Sequence, residues 1–410
     1  MHTLIVVENN SVPFDRRVWY EATTLRDEGW QVSVICPGDK KAPTNGRMPE
    51  YLDGIAIYRF HVEFAQGGIV GFLKEYLTAF FAIARLSRRV WREKRFEIIH
   101  ISNPPDIFFP IGLLYHFLGA KYIYDHHDLF PEMISERFKG KVGKIFFRLA
   151  CWLEILTYKS ADLVITTNES FREIAVKRGK IPEEKIAVVR NGPRIKAFYP
   201  VEPIPALKKG FPYMVCFVGI MGEFDGTMEL AEIVRHVVLD LGRKDILFTL
   251  IGDGSMREAI KDKLYAWGLE KYVDLPGLIK DDILLRSYMS TADVLVSPEP
   301  LTLMNKLSTF IKIGEYMAMG KPIVAFDLKE TRNTAQEACI YIQNGQINEF
   351  GKAISILMAD ENKRNKMGKV GRKRVEEQLC WEEQQKNLLL AYQSVIGTKG
   401  RKNIHYASSI

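Results

Sequence analysis

The chain holds 410 residues, 47% of them hydrophobic, with a formal net charge of +7; that is too long for one ordinary core, and two domains of about 200 residues each are the natural expectation. No run of about 18 uncharged apolar residues occurs, so a transmembrane helix is not expected. The five cysteines (Cys36, Cys151, Cys216, Cys339 and Cys380) stand singly among apolar neighbours without zinc or redox spacing, which fits reduced core thiols of a cytosolic protein.

In chain order, Met1-His-Thr-Leu-Ile-Val-Val enters a strand directly, with no signal-peptide pattern. Further strands are predicted at 31–36, 56–60, 98–101, 122–124, 163–167 and 186–189, with helices at 17–28, 70–94, 110–118 and 144–159. Strands separated by helices imply a parallel sheet covered on both faces. A Pro-rich interval, Tyr199 to Pro212, then interrupts the rhythm as an interdomain linker would. Strands return at 214–218, 247–251, 273–275, 294–297, 323–326 and 340–342, again alternating with helices. The expected architecture is α/β: two doubly wound, Rossmann-like domains, 1–200 and 201–380, facing a cleft at the carboxyl ends of their strands. A helix at 381–396 returns to the first domain, and the basic tail 398–410 is expected to fray.

Residues 1–200 hold 29 Lys and Arg against 23 Asp and Glu, so +6 of the net charge lies there. An anionic partner follows for that half. No nucleic-acid module accompanies the charge, and a membrane surface fits better. The stretch 72–81 carries Phe72, Leu73, Tyr76, Leu77, Phe80 and Phe81, and Arg85, Arg88, Arg89 and Arg92 follow. An apolar face with a basic end suits a helix lying on anionic lipid, and equally a core helix with a solvated basic end. Lys139-Gly-Lys-Val-Gly-Lys144, leading to Arg148, is a second such stretch.

Several turns at strand ends carry chemistry. The first βα loop places Asp15, Arg16 and Arg17 at a helix start, where cations oppose the dipole; either an anionic ligand or a salt bridge explains them. The run Asp125-His126-His127-Asp128 invites a metal, but neighbours on extended chain point to opposite sides and few could reach one ion. One histidine facing the cleft as a polar or proton-handling group, or a structural histidine, remains. Gly219 and Gly222 follow the first strand of the second half, Gly252 and Gly254 the next, and Gly277 another, all at one sheet edge where backbone can approach a phosphate. The segment from Asp293 to Asp327 reads as strand, polar loop, a helix opening on Ser308-Thr309, and strand. Amides at that helix start, with Lys312 one turn inside, form an anion site, and Glu315 one turn later can accept from sugar hydroxyls. No Asp-x-Asp occurs, which removes the usual short metal–diphosphate motif.

These segments resemble the family 4 glycosyltransferases of GT-B architecture. The likeness rests on Val12-Pro-Phe-Asp-Arg-Arg-Val-Trp19, Asp125-x-His127-Asp128-Leu-Phe-Pro-Glu132, Val189-Arg-Asn191-Gly-Pro193, Gly252-Asp-Gly254 and Glu315-Tyr-Met-Ala-Met-Gly-Lys-Pro-Ile-Val-Ala325. It implies a retaining, metal-independent hexosyltransferase with the acceptor domain first and the nucleotide-sugar domain second. By position His127 matches the active-site histidine, and Glu315 the second glutamate of the Glu-x7-Glu motif, which holds the donor ribose. Leu307 stands where the first glutamate belongs, and Ile220 and Asp225 where a diphosphate clamp of arginine and lysine belongs. The variant Ser308-Thr309-x-x-Lys312-x-x-Glu315 is similar to a subgroup associated with cell-surface polysaccharide assembly, in which Lys312 and the two hydroxyls replace the clamp.

The expected site is therefore His127 and Lys312 for catalysis, with Gly219, Gly222, Gly252, Gly277, Glu299, Asn305, Ser308, Thr309, Lys312 and Glu315 for the donor. Asp15, Arg16, Arg17, Asp128 and Asn191 fall on the acceptor or phosphate side. No metal or other cofactor is expected; a UDP- or GDP-sugar is substrate, a lipid-linked or surface glycan the acceptor, and the cytoplasmic face of the cell membrane the location. The missing motif residues also admit a catalytically inactive binding subunit, or a GT-B-fold epimerase.

Overall fold

A computed structural model of the chain describes residues 1–38, 48–63, 68–138 and 140–397. The tail expected to fray, and Lys139 of the second basic stretch, lie outside these. The chain forms two compact units, residues 1–190 with those from Gln385 onward, and 191–384.

The first unit runs β1 (His2–Val6), α1 (Arg16–Asp27), β2 (Gln31–Pro37), β3 (Glu50–Leu52), β4 (Ile55–Phe60), α2 (Ile69–Glu93), β5 (Ile98–Ser102), α3 (Phe109–Phe117), β6 (Lys121–His126), α4 (Phe130–Arg137), α5 (Gly140–Ser160), β7 (Leu163–Thr166), α6 (Glu169–Lys177) and β8 (Ile186–Val188). Its sheet has the order β3-β4-β2-β1-β5-β6-β7-β8. All pairs are parallel except β3 with β4, a hairpin closed by Asp53-Gly54, both at positive φ as a tight two-residue turn requires. Strands β1 and β5 are buried along their whole length, because helices cover both faces of the sheet. Ala79, Ile83, Leu86 and Val90 of α2 join Tyr115 of α3 and Tyr158 of α5 in the core on one face.

The second unit runs β9 (Tyr213–Val218), α7 (Thr227–Arg235), β10 (Ile246–Ile251), α8 (Arg257–Ala266), β11 (Val273–Gly277), α9 (Asp282–Thr291), β12 (Val294–Ser297), α10 (Ile311–Ala318), β13 (Ile323–Phe326), α11 (Lys329–Ala335), β14 (Cys339–Ile342), α12 (Ile347–Ala359) and α13 (Glu361–Arg374). The division between units falls inside the last helix, α14 (Trp381–Ile396). The order β11-β10-β9-β12-β13-β14, all parallel, reverses direction between β9 and β12. At such a reversal the loops leaving the two strands run to opposite faces, which is where open α/β sheets bind ligands. The Pro-rich interval is held within this unit: Val201 and Ile204 amides donate to the Ser290 and Thr291 hydroxyls (3.0 and 2.9 Å).

Candidate active site

At the carboxyl edge of the first sheet, Asp125 is the next-to-last residue of β6 and is fully buried. Burial opposes its charge, yet the adjacent Arg17 guanidinium holds its carboxyl well below the usual range. Arg17 Nε and Nη2 donate to the two Asp125 oxygens (2.8 and 2.7 Å), and Nη1 donates to the Val189 carbonyl (2.9 Å). Nη2 also lies 3.2 Å from Glu21, one turn along α1. Of the two readings of Arg17, the salt bridge is therefore the correct one: its guanidinium is committed inside the unit, and the ligand role expected for it is withdrawn. Asp15 caps α1 through the Val18 amide (3.1 Å), which offsets the cations that follow, while Arg16 stays on the exposed side.

His127 Nδ1 lies 3.2 Å from Asp125 and donates to it. Burial would lower its pKa, but the hydrogen bond and charge of Asp125 outweigh burial and raise it to about 9, so the ring is an imidazolium at neutral pH. The neighbouring histidine behaves oppositely. Burial, then Arg178, pushes His126 down to about 3, and its Nδ1 pairs with the Tyr158 hydroxyl (2.8 Å) inside the core. The pleat separates the two rings, as alternation along a strand demands. Asn103 fixes the loop, its amide oxygen accepting from the His127 and Asp128 amides (2.9 and 3.1 Å) and its Nδ2 donating to the Asp128 carbonyl (2.7 Å). The Asp128 carboxyl is pushed up by burial, against the pull of His127.

The sequence reading missed Glu21, His100 and Glu8. His100 Nδ1 lies 2.8 Å from the Tyr392 hydroxyl of α14, leaving Nε2 toward Glu21 and Asp125 at 3.9 and 3.8 Å. Ligand-type atoms of Glu21, His100 and Asp125 fall within 4.8 Å of one another. The Arg17 guanidinium already supplies the counter-charge there, so the cluster is a compensated ion network with little call for a metal. Glu8, at the end of β1, is raised to about 8 by burial and then by Glu75. A long-range pattern such as Arg17 with Asp125 leaves no spacing signal in a sequence.

The second unit presents mostly backbone. Gly219 and Gly252 amides donate to the carbonyls of Ile251 and Gly277 (3.0 Å each), so the three glycine turns sit side by side at one edge. Gly252 has φ +145°, and a Cβ there would meet the Gly219 carbonyl oxygen at 1.8 Å. A Cβ on Gly219 would meet Lys312 Nζ at 2.5 Å, which puts the lysine over the β9 turn. Lys312 also lies 4.4 Å above the Phe217 ring and forms an ion pair with Glu299, which Ser297 holds from its other oxygen. The pair thus bridges the ends of β9 and β12, where the strand order reverses. Gly222 donates to Asp225 (3.2 Å), whose carboxyl is raised by burial, against Lys312.

Three expectations here are corrected. Helix α10 opens at Ile311 with Phe310 flanking it, because Ser308 Oγ turns back to the Met304 carbonyl (2.9 Å). Asn305 is buried, with Nδ2 donating to the Phe224 and Pro300 carbonyls (2.9 and 3.0 Å); it props the loop and has no hydrogens left for a sugar. Glu299 is likewise buried and faces Lys312, so without a ligand its carboxylate is turned to the lysine and not to open space. Thr309 is partly buried ahead of the helix, Glu315 is 8% exposed on α10, and Asn191 is the first residue of the second unit.

The profile of Glycosyltransferase Family 4 matches residues 15–194, and that of Glycosyl transferases group 1 matches 212–360. The fold is similar to sucrose-phosphate synthase from Thermosynechococcus elongatus, with TM-score 0.76, 18% identity, 97% of this chain and 100% of that one. The two glycosyltransferase profiles together span most of the chain, and its fold is GT-B. The chain also resembles Anabaena HepE, solved in complex with UDP-glucose, with TM-score 0.70, 16% identity, 96% of this chain and 100% of that one. An Escherichia coli UDP-Gal:alpha-D-GlcNAc-diphosphoundecaprenol alpha-1,3-galactosyltransferase is 25% identical over 187 residues, 42% of this chain and 46% of its own. The chain spans less than half the length of such curated relatives.

Proposed function

We propose that this glycosyltransferase moves a hexose, with retention and without a metal, from a UDP- or GDP-linked donor to a lipid-linked or cell-surface glycan acceptor. Its place is then peripheral, on the cytoplasmic face of the cell membrane; no helix among the described residues is long and apolar enough to cross one. The observation that carries the donor site is Lys312 held over the Gly219 turn at the reversal of strand order. Relatives named for UDP-sugars and for a lipid diphosphate acceptor support the substrate classes.

Cleavage of a sugar–phosphate bond leaves a diphosphate whose growing charge must meet fixed donors and cations. Lys312 and the uncapped amides at the start of α10 supply them, with Gly219, Gly222, Gly252 and Gly277 allowing close backbone approach. Glu315 accepts from the ribose hydroxyls. Lys312 exchanges Glu299 for the diphosphate, which frees that carboxylate toward the donor sugar. On the acceptor side His127, kept protonated by Asp125, donates from its second nitrogen, while Arg16 and Asp128 flank it.

Nucleotide release should be measured with a panel of sugar donors and lipid-linked acceptors. Lys312→Ala should lower turnover about a hundred-fold or more, as loss of one transition-state donor does. The double variant with Glu299→Gln removes the stranded buried carboxylate, so it should recover melting temperature without recovering activity. Near wild-type turnover in both Lys312→Ala and Glu315→Ala would sink the donor site.

A further inference from the structure

Helix α2 carries one exposed stripe at 70, 73, 77, 81, 85, 88 and 92, with steps of three or four that keep a single face. Its first part is apolar: Val70 is 80% exposed, Leu73 58%, Leu77 48% and Phe81 68%. The rest is arginine. Arg85, Arg88 and Arg92 are exposed and have no hydrogen-bond or ion-pair partner among the described residues, while Arg89 pairs with Glu93 (2.6 Å). Together these five residues line an open depression of about 400 Å³. Like charges at this spacing repel along a helix, so an external anion would stabilise the stripe.

The exposed apolar and basic side is broader than α2. Helix α5 exposes Val142, Ile145, Leu149 and Trp152 at the same spacing, with Lys141, Lys144 and Arg148 exposed between them. Phe138 joins the two helices, its ring 6.2 Å from Phe72 and 5.7 Å from Phe146. The hydrophobic residues of α2 that the sequence reading grouped together thus divide. Phe72, Tyr76 and Phe80 pack on Phe138, Phe130 and Phe108, whereas Leu73, Leu77 and Phe81 face outward.

Topology orients the stripe. Helix α2 leaves the carboxyl edge of β4 and ends where β5 begins, so its apolar part lies toward the edge bearing His127 and its arginines toward the opposite edge. The two ends are about 33 Å apart at 1.5 Å per residue. The arginine depression is therefore remote from the acceptor chemistry and is not an acceptor subsite.

Resting on the membrane reading above, we propose that α2 docks at a tilt on an anionic bilayer, its apolar half among acyl chains and Arg85, Arg88 and Arg92 cradling lipid phosphates. The tilt turns the carboxyl edge of the first sheet toward the membrane, where a lipid-linked acceptor presents its head group. Apolar burial and a basic face are the two contributions such a helix needs.

Co-sedimentation of the full chain with phosphatidylcholine vesicles, with and without phosphatidylglycerol, tests this. Arg85→Gln/Arg88→Gln/Arg92→Gln should weaken binding to the anionic vesicles about a hundred-fold and flatten its salt dependence, with melting temperature unchanged. Leu73→Ser/Leu77→Ser/Phe81→Ser should lose binding to both. A spin label at Leu73→Cys should lie deeper than one at Lys94→Cys; equal depth overturns the tilt. If the arginine variant binds like the parent while the apolar variant does not, the cradle is wrong and the membrane reading stands. If the parent binds no vesicle, both fail; if inorganic phosphate alone abolishes parent binding, the depression holds a soluble anion and the lipid assignment is overturned.

Discussion

The two sheets share a winding but spend their carboxyl edges differently. In the first unit the edge is crowded with buried charge, and Arg17 pairs with both Asp125 and Glu21 while His127 pairs with Asp125. In the second it is mostly glycine backbone, with the Lys312–Glu299 ion pair set across it. A compensated network suits a group that must be held in one orientation. An open backbone edge suits a ligand that brings its own charge. The same topology can thus make a rigid polar wall or an anion cradle, according to whether its turns carry side chains.

The largest effect should come from breaking the wall. Asp125→Ala leaves Arg17 buried without its main partner and should cost about 3–5 kcal/mol in denaturant unfolding. A loss below about 1 kcal/mol would mean that the network is loosely held. Next is pH. The His127 pKa is raised above its ordinary 6.5, so its contribution is complete below about pH 6.5 and is lost as pH rises through about 9. Melting should therefore show a decline of about 3 kcal/mol over that window, which His127→Gln removes. Glu8 and Glu21, raised to about 8 and about 7 by burial, also lose stability as pH rises, from about 4.5 upward, and persist in the variant.

The open edge should answer to backbone changes. Gly252→Ala, with a Cβ 1.8 Å from the Gly219 oxygen and φ at +145°, should cost about 1–3 kcal/mol. Gly277→Ala, whose nearest neighbour would be 3.7 Å away, should cost only the strain of its φ of +79°, about 1–2 kcal/mol. Equal losses in thermal unfolding would remove close backbone approach as the reason for Gly252. The smallest effect is Asp15→Ala, about 1 kcal/mol for a lost cap, read from melting temperature.

Much of the fold was legible because parallel strands buried on both faces read as short apolar runs. Strands at 294–297 and 323–326 were matched to the residue. The hairpin strand β3 escaped because two of its three residues are exposed, although Asp53-Gly54 is a turn signal. Helix α4 escaped because Phe130-Pro-Glu at its start reads as loop until tertiary packing fixes it. The site was half legible. Gly219, Gly252 and Gly277 could be aligned by counting strand ends, but Arg17 and Asp125 are 108 positions apart. Local pattern also favoured a helix start at Ser308, whose hydroxyl the folded chain uses in the preceding turn.

The reach of Tyr392 to His100 has a consequence for synthesis. The first unit takes in residues from Gln385 onward, and Tyr392, Leu388 and Ala391 are buried within it. A ribosome that has finished Arg190 must add nearly two hundred residues before this piece emerges, about 10–40 s at ordinary elongation rates. Through that interval Thr3 and His100 of the nascent amino-terminal half lack Tyr392 as their partner. The unit that begins first is completed last.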